Sequence, residues 1–383
     1  MFIESLALNN FRNYSEAEIK FSHGINILYG DNAQGKTNSL EAIYMLATTK
    51  SHRSSKDKDI IRFDNDESHI RAEIIKNDIN HRIDMHLRRN KNKGVAIDML
   101  PIKRSAELFG LLNIIFFSPE DLTIIKDSPS ERRRFIDMEL CQLNKIYYSN
   151  LSTYNKILNQ RNNFLKQISF DNKNSDMLDV WDDQLVDYGI KVIKDRNNFI
   201  NMINEIIYDI HKNLTSGKEE LRLIYDKNIS EDLFANELCL KRDIDLRYQS
   251  TQIGPHRDDI IFMINDMDAK KYGSQGQQRT VALSLKLAEI ELVKRLINDN
   301  PILLLDDVMS ELDSTRRDSL LSSISGIQTI ITCTWYDDFI KERINIDMIY
   351  KVSQGTLEMS GGNIWVTMKA QIMVLTKFRF LKV

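Results

Sequence analysis

The sequence predicts an α/β fold organised around a nucleotide-binding site, and three patterns support this prediction. Residues 30–37 match G-x-x-x-x-G-K-T, the phosphate-binding loop or P-loop. An apolar run at 25–29 precedes this loop as a buried strand, and apolar residues at helical spacing follow it in 39–46. A second apolar run, 301–305, ends in two acidic residues. A chance match in an ordinary glycine turn is the alternative, but the flanking strand and helix argue against it.

The residues of the P-loop have separate roles in this interpretation. Backbone N–H groups of the loop and the dipole of the following helix face a triphosphate. Lys36 reaches the β- and γ-phosphates, and the hydroxyl of Thr37 binds Mg²⁺. We therefore predict ATP and Mg²⁺ as cofactors. The predicted ATP-binding residues are Gly30, Asp31, Asn32, Ala33, Gln34, Gly35, Lys36 and Thr37.

The two acidic residues after the second apolar strand complete the predicted site. An apolar strand that ends in a carboxylate is the Walker B pattern, which delivers that carboxylate to Mg²⁺ beside a P-loop. Asp306 is the predicted metal partner, and Asp307 is placed to orient and polarise the attacking water. We therefore predict Lys36, Asp306 and Asp307 as the catalytic residues.

Length and composition set wide limits. The 383 residues allow two domains, or one large domain with an insertion. A net charge of −3 does not indicate nucleic acid, so any basic surface must be local. The three cysteines lack metal-site or disulfide spacing, which fits a reduced setting. No signal peptide and no membrane-length apolar run are evident, so we expect a cytoplasmic protein that does not enter a membrane.

Short strands, turns and basic segments occupy the N-terminal third. Strands are predicted at 2–8 and 18–21 with a turn at 9–14, and a hairpin at 70–75 and 82–87 turns at Asn77 and Asp78. Residues 50–58 form a basic loop, and 88–94 form a charged turn. Contact with DNA or nucleotide and simple solvation are both open for these segments. The candidates for DNA contact here are Lys50, Arg53, Arg88 and Arg89.

The middle of the chain reads as mainly helical. After a buried strand at 113–117, Ser118 is a plausible N-cap with Pro119 at the first helical position, and 128–135 repeats this pattern. Three arginines at a helix start oppose its dipole, which suggests a partner anion or nearby carboxylates. Helical spacing in 151–168 and 181–210, joined by the polar loop 171–176, predicts an antiparallel helical hairpin. The arginines, also candidates for DNA contact, are Arg132, Arg133 and Arg134.

Two later segments carry further charged or anion-binding patterns. Residues 254–259 form a charged turn between strands 221–225 and 260–264, where ion pairs are a better prediction than a metal at the lone histidine. Residues 274–277 precede a strong helix and make a second anion site, or simply a capped helix. One triphosphate site does not need two such loops. We therefore expect this loop to close the ATP site of a second copy, so that two chains enclose two ATP molecules head to tail.

With these patterns in order, the chain resembles the RecF family, bacterial DNA-repair proteins of the ABC-type ATPase class. The resemblance covers nearly the full length. The P-loop alone would say little, but the ordered set is close to diagnostic. The segments that carry it are residues 8–14, 30–43, 117–122, 128–135, 254–259, 274–278, 304–308 and 310–313.

The resemblance implies properties that spacing alone could not give. It implies an ABC-type head of residues 1–119 and 251–383, with a mainly helical lobe, 120–250, inserted between them. It further implies a weak, DNA-dependent, regulatory ATPase that dimerises on ATP and binds double-stranded DNA and its junctions with single strands. Such a protein would work with RecO and RecR to help load recombinase at gaps. Matching the family motifs are a signature loop acting in trans, Ser274, Gln275, Gly276 and Gln277, and a D-loop, Glu311, Leu312 and Asp313.

Departures from the family pattern and rival functions complete the sequence-based interpretation. ABC enzymes usually carry glutamate where this chain has Asp307, and the late strand 329–334 has threonines where they have histidine. Both features fit slow turnover. The tail 365–383 is unlike the family. A transporter ATPase subunit and a P-loop kinase are the alternatives; the long helical stretch and the lack of membrane features argue against the first.

Overall fold

A computed structural model describes residues 1–53, 56–168, 177–334 and 346–362. The strands are β1 (Phe2–Phe11), β2 (Tyr14–Lys20), β3 (Ile25–Tyr29), β4 (Glu67–Lys76), β5 (Ile79–Arg88), β6 (Lys91–Ile97), β7 (Leu100–Pro101), β8 (Ile114–Phe117), β9 (Leu221–Asp226), β10 (Asp259–Ile264), β11 (Met267–Asp268), β12 (Ile302–Asp306), β13 (Thr329–Cys333), β14 (Ile346–Ser353) and β15 (Thr356–Gly362). The α-helices are α1 (Lys36–Thr48), α2 (Pro129–Leu143), α3 (Lys145–Ile168), α4 (Leu178–Leu214), α5 (Phe234–Leu240), α6 (Arg242–Tyr248), α7 (Ala269–Tyr272), α8 (Gln275–Ile297) and α9 (Ser314–Ser323).

The chain forms two compact units, each with its own core. The first consists of Met1–Pro119 and Ile297–Val383, and the second of Glu120–Leu296. These units change after residues 119 and 296, and the lobes predicted from the sequence change after residues 119 and 250. Residues 251–296 group with the inserted unit because they contain β10, which pairs with β9 from Asp259↔Asp226 to Ile264↔Leu221.

A mainly parallel sheet forms the centre of the first unit. Its strand order is β15-β14-β3-β13-β12-β8, and only the edge strand β15 runs antiparallel to its neighbour. Nearly all side chains of β8, β12 and β13 are buried, as expected of parallel strands covered on both faces. In the register, Leu28 and Asp306 both align with Thr332. The carboxyl ends of three adjacent strands therefore meet at one edge.

A second, antiparallel sheet of the first unit has the order β2-β1-β4-β5-β6-β7. Buried and exposed side chains alternate along β4, so one face belongs to the core. The predicted hairpin turn is confirmed, since Asn77 and Asp78 have φ of 50° and 60°, the left-handed pair of a type I′ turn. The turn predicted over 88–94 is shorter, because Arg88 and Lys91 still pair across it. Likewise β1 continues to Phe11, and the predicted turn at 9–14 shrinks to Arg12 and Asn13.

The second unit is mainly helical, as predicted. Leu165 and Ile168 of α3 form a buried cluster with Leu178 of α4. Arg161 of α3 is fully buried and donates to Asp182 of α4 at 2.5 Å and to Asp245 at 2.6 Å. The polar loop 171–176 lies outside the described residues. None of the helices in the described ranges is long and apolar enough to span a membrane.

A buried group of charges lies within the second unit. The Lys286 Nζ atom lies 3.2 Å from a carboxylate oxygen of Glu289 and 3.5 Å from one of Asp121. Burial alone would lower the pKa of Lys286, but the surrounding carboxylates outweigh it and raise that pKa. Burial raises the pKa of Glu139 beside them, and the charge of Glu289 raises it further. Lys286 is therefore the cation on which these buried carboxylates depend.

We predict that Lys286→Met lowers the free energy of unfolding by about 3–5 kcal/mol, because it leaves buried carboxylates without their cation. Urea-induced unfolding measures the change. The matched control is Lys191→Met, which removes an exposed pair with Asp187 on α4 and should change the free energy by less than about 1 kcal/mol. Equal effects of the two substitutions would contradict this account of Lys286.

Candidate nucleotide-binding site

The P-loop joins β3 to α1 in a conformation that needs glycine at two positions. Gly30 and Gly35 have φ of 152° and 118°. A Cβ atom on Gly30 would lie 2.3 Å from the carbonyl oxygen of Val352, and one on Gly35 would lie 2.7 Å from the side chain of Asn13. Because side chains cannot be accommodated, the backbone itself lines the loop.

The N-terminus of α1 is suited to an anion. Gly35 is its N-cap, no side chain of the described residues caps it, and its first turn carries no acidic residue. The first N–H groups of a helix have no intrahelical partner, so they can bind phosphate oxygens. Lys36 Nζ is held above the loop by the carbonyl oxygens of Gly30 at 2.6 Å and Asp31 at 2.8 Å. Burial lowers the pKa of Lys36, and the carboxylate of Asp307 opposes this shift.

The carboxylate of Asp306 accepts hydrogen bonds from two threonine hydroxyls near the ends of neighbouring strands. Its Oδ1 accepts hydrogen bonds from Thr37 Oγ1 at 2.8 Å and from Thr332 Oγ1 at 2.6 Å. Thr37 lies in the first turn of α1, Asp306 ends β12, and Thr332 lies on β13, the strand between β3 and β12. Hydroxyl and carboxylate oxygens are the ligands that Mg²⁺ prefers. Thr37 and Asp306 therefore fit the predicted metal site, and Thr332 is the threonine that the late strand contributes.

Asp307 follows in a strained backbone conformation. Its φ of 53° is left-handed, which costs a residue other than glycine on the order of 1 kcal/mol. Its N–H donates to the Thr332 carbonyl at 3.2 Å, and Ser310 Oγ donates to its carbonyl at 2.7 Å. Burial raises the pKa of Asp307, while the charge of Lys36 opposes the shift. The surroundings thus hold a carboxylate of raised basicity beside Lys36, as a residue that polarises water requires.

The turn between β1 and β2 supports the P-loop by hydrogen bonds to its backbone carbonyls. Asn13 Nδ2 donates to the Gln34 carbonyl at 2.7 Å, and Asn13 Oδ1 accepts from Asn38 Nδ2 at 2.8 Å. Tyr14 OH donates to the Gly35 carbonyl at 3.0 Å, and burial raises the pKa of this phenol to about 12. The sequence predicted a turn here and a place in the family resemblance, but no contact with the P-loop.

A second hairpin also supports the loop, at the same Gln34 carbonyl that accepts from Asn13. The N–H groups of Gln354 and Gly355, between β14 and β15, donate to Gln34 Oε1 at 2.6 Å and to its carbonyl at 3.1 Å. Behind the loop, Arg12 donates to both carboxylate oxygens of Glu41 on α1, at 2.9 and 2.6 Å. Burial alone would raise the pKa of Glu41, but the hydrogen bonds from Arg12 and Ser51 outweigh it and lower that pKa.

The loop predicted to act in trans starts α8 in the second unit. Ser274 and Gln277 form a reciprocal cap: the Ser274 N–H donates to Gln277 Oε1 at 2.8 Å, and the Gln277 N–H donates to Ser274 Oγ at 3.2 Å. Gln277 Nε2 also donates to Glu219 at 2.8 Å. Ser274, Gln275 and Gly276 are exposed. The structure therefore contains the capped helix that the sequence analysis gave as the alternative. Because the start of this helix is exposed, the predicted contact with the ATP of a second copy stays a prediction.

The segment after Asp307 is a short 3-10 helix and a helix start. Val308–Glu311 is the 3-10 helix, and Leu312 is buried after it. Asp313 caps α9 by accepting the Arg316 N–H at 3.0 Å. Among the predicted D-loop residues, Glu311 and Asp313 therefore lie at the surface end of the strand that carries Asp306.

Known relatives match this sequence over nearly its whole length. The chain is 59% identical over 358 residues to the DNA replication and repair protein RecF of Lachnoclostridium phytofermentans, covering 94% of this chain and 99% of that one. The chain belongs to the RecF family. The RecF protein of Clostridium acetobutylicum is 44% identical over 364 residues, covering 93% and 99% of the two chains. Residues 2–358 also match the family described as RecF/RecN/SMC N terminal domain.

Solved RecF structures have the same fold. The recombination mediator protein RecF with ATP in the RecFOR pathway superposes with a TM-score of 0.88 at 35% identity, covering 94% of this chain and 98% of that one. The head of an Smc protein bound to a ScpA domain gives 0.56 at 19% identity, which reflects fold alone. The predicted family and the predicted ABC-type ATPase head are therefore confirmed. The names of the relatives agree with the predicted role in DNA replication and repair.

The arginine cluster of this RecF-family chain requires a correction. Arg132 is 2% exposed, and its guanidinium donates to both carboxylate oxygens of Asp259 at 2.6 and 2.8 Å, so it does not reach a phosphate. Arg133 is half-buried and donates to the Asp258 carbonyl at 2.7 Å, whereas Arg134 is exposed and pairs with Glu131 at 3.6 Å. The sequence pattern allowed nearby carboxylates as the reason for this cluster, and the structure supplies them.

The charged turn before β10 forms ion pairs, as predicted. Asp258 accepts from Arg196 at 3.4 Å and from the Asn228 N–H at 2.8 Å. His256 bonds the Tyr154 hydroxyl through Nδ1 at 2.6 Å and the Thr251 carbonyl through Nε2 at 3.0 Å. Burial lowers the pKa of His256 to about 4. With both ring nitrogens engaged, this neutral histidine is structural.

Four basic residues of the first unit remain candidates for DNA contact. Lys50 and Arg53 are exposed, and Arg53 also donates to Asn38 Oδ1 at 3.3 Å. Arg89 is exposed and donates to the Asn65 carbonyl at 2.6 Å, whereas Arg88 is half-buried. The link from Arg53 through Asn38 to Asn13 places this basic loop one contact from the P-loop support.

We predict that Asn13→Ala raises the dissociation constant for ATP about tenfold, because the loop loses hydrogen bonds worth about 1–1.5 kcal/mol. Titration with a fluorescent ATP analogue measures the change. The matched control is Asn80→Ala, at an exposed position of β5, which should leave the affinity unchanged. Equal affinities in the wild type and the Asn13 variant would show that the loop holds its shape without this side chain.

Proposed function

We propose that this chain is an ATP-gated DNA-binding protein of recombinational repair and replication-fork maintenance. ATP joins two copies on DNA, where they help load recombinase at single-stranded gaps, and slow hydrolysis releases them. The observation that carries the proposal is the oxygen cluster of Thr37, Asp306 and Thr332 beside an uncapped helix N-terminus. Relatives named for DNA replication and repair, and RecF structures with ATP in the RecFOR pathway, support it.

The chemistry proposed for the site is ATP hydrolysis at a low, DNA-dependent rate. Lys36 would balance the charge of the β- and γ-phosphates, and the first N–H groups of α1 would orient them. Thr37 and Asp306 would hold Mg²⁺, which when bound neutralises phosphate charge. Asp307 would accept a hydrogen bond from water and orient it. A carboxylate one methylene shorter than the usual glutamate, in a strained backbone, fits slow turnover.

Dimerisation is proposed from the exposed start of α8. In each copy, Ser274, Gln275, Gly276 and Gln277 would contact the ATP held by its partner, with Glu311, Leu312 and Asp313 at the same interface. Residues 1–119 with the C-terminal part would form the ATPase head, and the inserted helical residues the second lobe. RecO and RecR, DNA and a cytoplasmic setting belong to the same proposal. The tail 365–383 lies outside the described residues.

We predict that Asp307→Asn lowers turnover by about 10²–10⁴-fold and traps a dimer on DNA, because orientation of water fails while ATP still binds. Sedimentation with a labelled gapped duplex should show a dimer-sized complex in ATP and none in ADP.

A second variant, Ser274→Arg, tests the contact between copies and should bind ATP yet sediment as a monomer. Its mixture with Lys36→Ala should regain hydrolysis through one composite site. A monomer that ignores DNA in both nucleotides would overturn the gated mechanism.

We predict that replacing both Lys50 and Arg53 by alanine flattens the salt dependence of DNA binding. Each lost phosphate contact removes about 0.9 from the slope of log K against log salt. Fluorescence anisotropy over a salt series, with ATP present, gives the slopes. The control is Arg295→Ala, which removes an exposed pair with Glu291 on α8. An unchanged slope in the double variant would show that Lys50 and Arg53 do not contact DNA phosphates.

A further inference from the structure

A cluster of two histidines and one glutamate lies on the antiparallel sheet of the first unit, and the proposed ATP cycle makes no use of it. Glu67 and His69 belong to β4, and His86 belongs to β5. His69 and His86 are direct partners in the register of these strands. Glu67 and His69 are exposed and His86 is half-buried, so the cluster faces solvent.

The pairing places the two imidazoles close together. From the two-residue turn at Asn77 and Asp78, hydrogen-bonded and non-hydrogen-bonded pairs alternate along the strands, which makes His69↔His86 a non-hydrogen-bonded pair. Such pairs bring side chains nearest to one another. The two rings stack with centroids 3.9 Å apart and planes inclined by 22°.

Glu67 adds a carboxylate to this pair. Glu67 Oε2 lies 2.9 Å from His86 Nε2, and one donor atom from each of the three residues lies within 4.8 Å of the other two. Two ligands of one zinc ion are about 3.4 Å apart in a tetrahedral site, from bond lengths of about 2.0–2.1 Å. The limit of 4.8 Å exceeds this separation by about 1.4 Å, so side-chain rotations that move the donor atoms by about an ångström would bring the three together.

The surrounding charges do not neutralise a doubly protonated histidine pair. The nearby carboxylate of Asp84 already accepts from Arg71 at 2.9 Å and from Arg82 at 2.7 Å. Burial lowers the pKa of His69, and the neighbouring His86 lowers it further. A metal ion would bind the neutral form of both imidazoles.

We propose that Glu67, His69 and His86 bind one transition-metal ion, with Zn²⁺ as the ion that this ligand set suits best. Two imidazole nitrogens and one carboxylate oxygen form a known zinc-binding set that leaves one coordination position open. Mg²⁺ prefers oxygen ligands alone, so the ion that serves ATP at Thr37 and Asp306 would not compete strongly here. The site would clamp β4 to β5 on the exposed face.

The test uses the full chain without a polyhistidine tag and without nucleotide. Zn²⁺ is titrated in competition with a chromogenic chelator, and Co²⁺ is added separately to record the absorption of its bound form. The variants are His69→Ala and His86→Ala. The matched control is His81→Ala on the same strand as His86, because His81 pairs with Asp98 outside the cluster. Thermal unfolding confirms that each variant is folded.

We expect the wild type and His81→Ala to bind one Zn²⁺ per chain. His69→Ala and His86→Ala should each lose at least about 100-fold in affinity, since even outer-shell partners of metal ligands carry about 10- to 100-fold. The Co²⁺ absorption should disappear in the same two variants. Weak binding in the wild type, or equal binding in all four proteins, would overturn the site. Neither result depends on ATP hydrolysis or on DNA.

Discussion

The carboxylate of Asp306 is the point on which the nucleotide site depends. It accepts hydrogen bonds from Thr37, in the first turn of the helix after β3, and from Thr332 on β13, which separates β3 from β12. Parallel pairing aligns the ends of these strands, so residues 269 positions apart meet within 2.8 Å. Without β13 between them, the P-loop and the acidic residues would have no fixed separation. The order of strands in one sheet therefore determines the geometry of the site.

The P-loop is held in place by two hairpins of the first unit, which both donate to the Gln34 carbonyl. Asn13 and Tyr14 donate to the carbonyls of Gln34 and Gly35, and the turn after β14 donates to the side chain of Gln34. A loop with left-handed residues at several positions is strained, and such strain persists only where the surroundings impose it. Helix α1 can then keep a free N-terminus ready for phosphate, because its position does not rely on capping side chains.

Local patterns in the sequence were enough to predict much of the nucleotide site and of the strands around it. The P-loop, the strand before Asp306 and the turn at Asn77 each depend on neighbouring residues, and the structure has them where predicted. The support from Asn13 could not be predicted, because it depends on a contact across 21 positions whose register no short pattern specifies. Arg132 was wrongly predicted as a DNA contact for the same reason. A local pattern cannot distinguish an arginine that binds phosphate from one that pairs with a carboxylate 127 positions away. The grouping of residues 251–296 with the inserted unit depends on the pairing of β10 with β9, which is equally non-local.

The order of strands in the central sheet has a consequence for how the protein is made. Chains emerge from the ribosome N-terminus first, and domains fold as their parts appear. The hairpins of β1 to β7 have local partners and can form early. Strand β3 must wait for β13 and β14, which are synthesised after the entire inserted unit. Until then β3 is an apolar edge without its neighbours, a surface prone to aggregation. Nascent chains that stop within the inserted unit would therefore need protection, and none of them could bind ATP.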